Sequence, residues 1–130
     1  MPLPRHKAKY LSEPKTISLD HGSTAATLNT KVWKVPAGRS FRITRVLYNN
    51  PTGLVANAGN FFTITALNAA LTAYAINTSA VSLGADVPVE LVATPVNIVL
   101  PANTILTIAL ALTGAATLPA GRVVIEGDLF

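Results

Sequence analysis

The chain has 130 residues, no cysteine and a formal net charge of +4, and its length suits a single domain with a buried core. The absence of cysteine excludes disulfide bonds, thiolate catalysis and the common cysteine-ligated zinc sites. Only 12% of the residues are charged, although about 25% is typical. This composition indicates either a polar but uncharged β surface or a surface buried against other subunits, where charge is depleted. We favour the second interpretation.

Residues 1–15 are predicted to form an extended, basic and proline-rich docking arm outside the folded domain. Three prolines discourage helix and sheet within it: Pro2, Pro4 and Pro14. Four basic residues and one acidic residue give it a formal charge of +3: Arg5, Lys7, Lys9, Lys15 and Glu13. The segment lacks the apolar core of a signal peptide, so we expect no secretion signal.

The arm is the one partner-binding site that the sequence predicts. We expect it to lie extended on an acidic neighbouring surface through five residues: Arg5, Lys7, Lys9, Tyr10 and Leu11. Exposed ion pairs contribute at most about 1 kcal/mol each, whereas ordering the backbone costs roughly 1–2 kcal/mol per residue. Tyr10, Leu11 and the prolines must therefore carry much of the docking. The alternative interpretation is an arm that lies on its own domain.

Residues 16–130 are predicted to form an all-β domain, an antiparallel β-sandwich or jelly roll. Short β-prone runs separated by turn residues indicate its strands. The predicted strands are 16–19, 27–35, 41–48, 61–67, 71–76, 89–92, 96–100, 105–112 and 122–130. Longer loops are predicted at 49–60 and 77–88. Many short strands with Pro and Gly turns, and no long run of helical period, are typical of a sandwich.

A short unit, an apolar residue followed by Pro-Ala and then Gly or Asn, opens three of these strands. Its copies are 35–38, 100–103 and 118–121. Proline presets φ for the first central position of a tight turn, and Gly or Asn accepts the positive φ of the second. The first two copies begin 65 positions apart (100 minus 35), which is half the chain. This spacing suits two halves that close on each other.

The strand predicted at 41–48 contains one conflict with simple alternation. Phe41, Ile43 and Leu47 share a face that is expected to lie in the core. The same parity places Arg45 on that face. An unpaired buried charge is costly, so either the register shifts or the arginine finds a partner.

Few side chains here could carry catalysis, and we predict no enzyme, no catalytic residue, no cofactor and no metal site. Asp20, His21 and Ser23 are the three residue types of a Ser-His-Asp catalytic triad, but residues this close in sequence cannot adopt triad geometry. An Asx-type turn is the better interpretation. Asp86 and Glu90 could touch calcium, but no oxygen-rich loop pattern surrounds them.

Three arginines precede and occupy the strand at 41–48. In a regular strand Arg39 and Arg45 share one face and Arg42 takes the other, so no continuous basic stripe forms. Ion pairs or interface contacts are the favoured roles. We predict no nucleic-acid partner, because the arm's charge of +3 would release few counterions.

Five features together resemble the virion proteins of bacteriophages. They are the absence of cysteine, the low charge, the proline-rich basic arm, the Pro-Ala-Gly strand openers and a last strand that runs to Phe130. The chain is most similar to capsid decoration (cement) proteins, which sit on capsid exteriors, often as trimers. The resemblance covers size, composition and layout and includes no specific motif, so it transfers no functional residue.

The resemblance implies a homotrimer on the virion surface that binds the major capsid protein and stabilises the capsid. It implies no membrane and no small-molecule substrate. Two alternatives stay open: a jelly-roll coat protein that builds the shell itself, and a glycan-binding or adhesive module. One Trp and three Tyr make a poor aromatic platform for sugars, which counts against the second alternative.

Overall fold

The structure is a computed structural model that describes residues 12–67, 74–91 and 98–130. These ranges contain nine strands, and no helix in them is long and apolar enough to cross a membrane. The strands are β1 (Glu13–His21), β2 (Leu28–Lys34), β3 (Phe41–Asn49), β4 (Phe61–Leu67), β5 (Ala75–Asn77), β6 (Val89–Glu90), β7 (Ile98–Leu100), β8 (Ile105–Thr113) and β9 (Gly121–Leu129). The predicted all-β class is confirmed.

The strands pair as one long antiparallel ribbon that has been rolled up. The first strand pairs with the last, β2 with β8, β3 with β7 and β6, and β4 with β5. Rolling the ribbon brings β9 against β3 and β8 against β4. The result is two sheets, β1-β9-β3-β6 with β7 also beside β3, and β2-β8-β4-β5. This is the strand order of a jelly roll, so the predicted sandwich is confirmed.

The core lies between the inner faces of the two sheets. Alternate residues of each strand enter it, because successive side chains of a strand point to opposite sides. The largest fully buried side chains are Phe41, Tyr48, Phe62, Ile64 and Tyr74. Aromatic and branched residues from both sheets therefore supply the apolar burial on which the fold depends.

The sandwich begins earlier than predicted, because β1 starts at Glu13. Glu13 pairs with Leu129, and Pro14 is the next residue of the strand. Proline is tolerated here because β1 is an edge strand, where one side of the backbone needs no partner. Arg39 Nη2 also donates a hydrogen bond to Glu13 Oε1 at 2.8 Å. The rest of the predicted arm, residues 1–11, lies outside the described residues.

The register of β3 shifts, which is one of the two outcomes expected from the position of Arg45. The shift falls between Ile43 and Arg45, so that Thr44 is an extra residue opposite β9. Arg45 is therefore exposed on the outer face, and Val46 enters the core. Leu47 was predicted for the core, but the bulge turns it to the outer face, where it is half-buried.

The first two Pro-Ala units form tight turns whose register differs by one residue from the prediction. Gly38 and Asn103 adopt positive φ, 74° and 68°. The amide that follows each of them donates to Pro36 O at 3.2 Å or to Pro101 O at 3.3 Å. Proline is therefore the first residue of each turn, before the two central positions. Asn103 N also donates to Val35 O at 2.9 Å, so the two turns lie side by side, as their spacing suggested.

The connections between strands that the structure describes lie at two opposite ends of the sandwich. One end holds the start of β1, the end of β9 and the turns at 36–39 and 101–104, and we call it the terminal end. The other end holds the connections 22–27, 50–60, 78–88 and 114–120, and we call it the loop end. Residues at positions 1–11 thus join the domain at the terminal end.

Candidate functional site

A cavity of about 350 Å³ opens at the loop end, where β1 and β3 finish and β9 begins. Its principal lining residues are Asp20, His21, Asn49, Pro51, Gly121 and Arg122. Three strands that are neighbours in one sheet supply most of these residues. The cavity therefore has a rigid wall on one side and the loop at 50–60 on another.

His21 is held in one tautomer by hydrogen bonds at both ring nitrogens. Nδ1 lies 2.8 Å from Gly22 O, and a carbonyl oxygen only accepts, so Nδ1 carries the proton. Nε2 then accepts from the Tyr48 hydroxyl at 2.6 Å. The two rings are nearly parallel, with an interplanar angle of 5°. Asn50 Nδ2 completes the group by donating to the Tyr48 oxygen at 3.1 Å.

The Tyr48 hydroxyl stays neutral in this environment. Burial raises the pKa of Tyr48, and the hydrogen bond from Asn50 opposes the shift to a smaller extent. A neutral phenol donates one hydrogen bond, and His21 receives it. The group therefore fixes the positions of its members and presents a neutral wall to the cavity.

The third Pro-Ala unit has a different role from the first two, and the turn predicted for it is wrong. Gly121 is the first residue of β9 and is absent from the positive-φ positions of the described chain. A Cβ at Gly121 would lie 2.6 Å from Tyr48 Oη and 3.0 Å from His21 Nε2. Glycine is required here because the backbone of β9 passes directly over this pair. Pro119 O, in the same unit, accepts from Asn50 Nδ2 at 2.8 Å.

Asp20 and Arg122 form an ion pair at the mouth of the cavity. They are opposite each other in the β1–β9 register, and two guanidinium nitrogens contact the two carboxylate oxygens, Nη2–Oδ2 at 3.1 Å. The hydrogen bond from Arg122 lowers the pKa of Asp20, and the same bond raises the pKa of Arg122. Asp20 and His21 belong to β1, so the Asx-type turn predicted for them is wrong.

Asn49 supplies an amide beside this ion pair. Its Nδ2 donates to Asp86 Oδ1 at 3.0 Å, which fixes the orientation of the amide because a flip would place two oxygens together. Its Oδ1 is shielded from water and accepts no hydrogen bond from the described part of the chain. A buried acceptor without a donor is costly, so this atom has unused capacity for a hydrogen bond.

The candidate calcium residues and the arginine row have other contacts. Asp86 bonds to Asn49, and within the ranges that the structure covers no three His, Asp or Glu residues cluster as a metal site. The bulge in β3 puts Arg42 and Arg45 on the same outer face, so the predicted alternation of the arginines is wrong. Arg42 lies opposite Asp128 in the register, and its guanidinium carbon is 5.0 Å from the Phe130 ring centre.

The outer faces of the two sheets differ sharply in charge. Outward positions of β1, β3 and β9 form the charged face and include Asp20, Arg42, Arg45, Arg122, Glu126 and Asp128. The outward positions of β4 and β8 form the uncharged face: Phe61, Thr63, Thr65, Ile105, Thr107, Ala109, Ala111 and Thr113. The nearest charges on that sheet, Lys31 and Lys34, lie on its edge strand β2.

Sequence reasoning found neither the cavity nor the uncharged face, and the site that it did predict lies elsewhere. The predicted arm residues Arg5, Lys7, Lys9, Tyr10 and Leu11 lie outside the described residues. Comparisons with protein-family models, with curated proteins and with solved structures found no match for this chain.

Proposed function

We propose that this chain is a structural virion protein, a decoration protein that binds the outer surface of a capsid and stabilises it. In this proposal the copies associate with each other through the uncharged face and grip the major capsid protein through the N-terminal arm. The observation that carries the proposal is the division of charge between the two outer sheet faces.

The uncharged face is suited to contact with a second copy of the chain. In a symmetric oligomer every subunit buries the same surface against a neighbour, and a charge buried there without a partner would be costly. The outward positions of β4 and β8 carry no charge, and several are small residues such as Thr63, Ala109 and Ala111. Depletion of charge is also what distinguishes the centre of protein interfaces from other surface.

The position of the start of β1 supports attachment at the terminal end. β1 begins there at Glu13, which pairs with Leu129, so an arm that precedes β1 would extend from this end. The arm carries Arg5, Lys7 and Lys9 and would meet an acidic capsid surface favourably. With the terminal end towards the capsid, the loop end faces outward.

The strand order supports a second candidate, a small coat protein that builds the shell itself. Viral coat proteins are among the characteristic users of the jelly roll, and the order β1-β9-β3-β6 with β2-β8-β4-β5 is that arrangement. The two candidates differ in what the isolated protein assembles into.

Mass in solution and on particles tests the proposal. Sedimentation velocity and electron microscopy are applied to the purified chain, alone and with preformed capsids of the major capsid protein encoded in the same genome. A trimer that adds to those capsids and raises their disassembly temperature is expected. Closed shells formed by the chain alone would establish the coat protein instead, and a monomer that ignores capsids would overturn both candidates.

A further inference from the structure

We propose that the cavity at the loop end binds a neutral saccharide, with one pyranose unit seated among Asp20, Asn49 and Arg122. The site goes beyond the proposed decoration function and does not depend on it.

The dimensions suit a single sugar ring. A volume of about 350 Å³ lies at the lower end of the roughly 300–1,000 Å³ that is usual for small-molecule sites. Pro51 and Ala120 contribute apolar surface to the lining, against which the C–H groups of a pyranose can pack. Gly121 contributes backbone to the lining.

The charges around the cavity cancel, which favours a neutral ligand over an anion or a cation. The guanidinium of Arg122 is already paired with the carboxylate of Asp20. Both ring nitrogens of His21 are already engaged, Nδ1 with Gly22 O and Nε2 with the Tyr48 hydroxyl. A phosphate or carboxylate ligand would have to compete with Asp20 for the same guanidinium.

The remaining hydrogen-bonding capacity matches hydroxyl groups, each of which both donates and accepts. Arg122 has five N–H donors, and only its Nε and Nη2 groups bond to Asp20. Each Asp20 oxygen retains a lone pair, because a carboxylate accepts at about four positions. Neighbouring hydroxyls on a pyranose offer both partners at adjacent positions.

The polar groups are held in place before any ligand arrives. The β1–β9 register fixes Asp20 against Arg122, and Asp86 fixes the amide of Asn49. Behind them the hydrogen bond between His21 and Tyr48 ties β1 to β3. Rigid polar groups lose little conformational freedom on binding, which is the usual basis of selective recognition by a small site.

The test uses methyl glycosides of glucose, galactose, mannose and N-acetylglucosamine as probes in saturation-transfer NMR. At least one glycoside is expected to bind with a dissociation constant on the order of 1 mM. Glucuronic acid and glucosamine serve as charged probes and are expected to bind more weakly than the neutral glycoside. Stronger binding of a charged probe, or no binding by any neutral probe, would overturn the proposal.

Two tryptophan variants provide a matched control, because Ala120 and Ala37 are both exposed and both follow proline in a Pro-Ala-Gly unit. Ala120→Trp fills the cavity and should abolish glycoside binding, whereas Ala37→Trp lies at the terminal end and should leave it unchanged. Asp20→Asn, which weakens the ion pair, should lower the affinity by about tenfold, the equivalent of one charged hydrogen bond. Melting curves of all three establish that they fold. Equal binding by Ala120→Trp and the parent chain would refute the site.

Two further experiments identify the source of the sugar and test whether the cavity acts independently of capsid binding. Immobilised bacterial surface polysaccharide that captures the chain identifies sugars within a polymer, whereas binding of free glycosides alone identifies a terminal or free sugar. Capsid addition by Ala120→Trp is expected to match that of the parent chain. Loss of sugar binding with retained capsid addition would support the site, and loss of both would refute a separate site at the loop end.

Discussion

At the scale of single residues, the loop end depends on the absence of a side chain at Gly121. A methyl group there would lie 2.6 Å from Tyr48 Oη and 2.8 Å from Asn49 O, closer than real contacts allow. Gly121→Ala is therefore expected to lower the free energy of unfolding by about 1–3 kcal/mol, as overpacking usually does. Gly22→Ala is the matched control, because a Cβ at Gly22 meets nothing within 4 Å. Urea unfolding curves compare the two, and equal losses would contradict the close approach.

The two buried tyrosines provide a second residue-scale prediction. Tyr48 donates to His21 at 2.6 Å and accepts from Asn50 at 3.1 Å, whereas the Tyr74 hydroxyl donates to Ile43 O at the longer distance of 3.5 Å. Tyr48→Phe removes the partner of His21 Nε2 and one of the two acceptors of Asn50 Nδ2, and it should lower the free energy of unfolding by about 1–3 kcal/mol. Tyr74→Phe, at an equally buried position, should cost less. The prediction fails if denaturant unfolding ranks the two variants in the opposite order.

Alkaline pH should destabilise the fold through Tyr48. Burial raises its pKa above the ordinary value of 10.0, so the unfolded chain loses this proton at a lower pH than the folded chain. The contribution to stability is complete below the unfolded pKa and is lost as the pH rises towards the folded pKa. Unfolding free energies measured on both sides of this range should fall less steeply for Tyr48→Phe than for the parent. An identical slope in the two proteins would argue against the raised pKa.

At the scale of the strand, the sequence allowed us to predict which face of the sheet a residue occupies. It did not allow us to predict which residues of other strands lie beside it. Alternation predicted a sandwich. It also placed Arg45 in the core, which predicted either a register shift or a partner for the arginine, and the structure shows the register shift. The exact bulge residue, Thr44, was not predictable, so Leu47 was assigned to the wrong side. A two-residue period carries information about the faces of one strand only.

The cavity was missed for the same physical reason. Tyr48 follows its partner His21 by 27 positions, and Arg122 follows Asp20 by 102. Only the order of strands brings these residues together, and no local pattern encodes that order. The one signal available was the third Pro-Ala unit, 118–121, where the glycine permits a close approach of the backbone and does not form a turn.

Two truncations test the boundary between the arm and β1. Removing residues 2–11 is expected to leave the melting temperature nearly unchanged and to weaken capsid binding strongly, because the arm is proposed to dock. Removing residues 2–17 should destabilise the domain as well, because it deletes half of β1 and the buried Ile17, 8% exposed. Differential scanning calorimetry and capsid co-sedimentation measure the two effects. Unfolding caused by the shorter truncation, with capsid binding intact, would make the arm an intramolecular strand.

At the scale of the whole molecule, the two sheet faces should respond differently to an added charge. Ala111→Lys places a cation on the uncharged face, and Ser18→Lys places one beside the charged face; both positions are exposed. The first variant is expected to shift the proposed trimer towards monomer because the interface would bury an unpaired cation, and the second to leave it intact. Sedimentation velocity at matched concentrations distinguishes them. Dissociation by Ser18→Lys alone would move the interface to the other sheet.

The pairing of the first strand with the last also has a consequence for how the protein is made. Glu13 finds its partner at Leu129 and His21 finds its partner at Gly121, so β1 has no native neighbour in its own sheet until β9 has been synthesised. Closure of that sheet must follow translation of almost every residue described here. Chains dominated by such distant pairings fold slowly, in roughly milliseconds to seconds. During that interval the nascent β1 presents an unpaired backbone edge, and the early Pro14 and Lys15 are residues of the kind that keep such an edge from pairing with other chains.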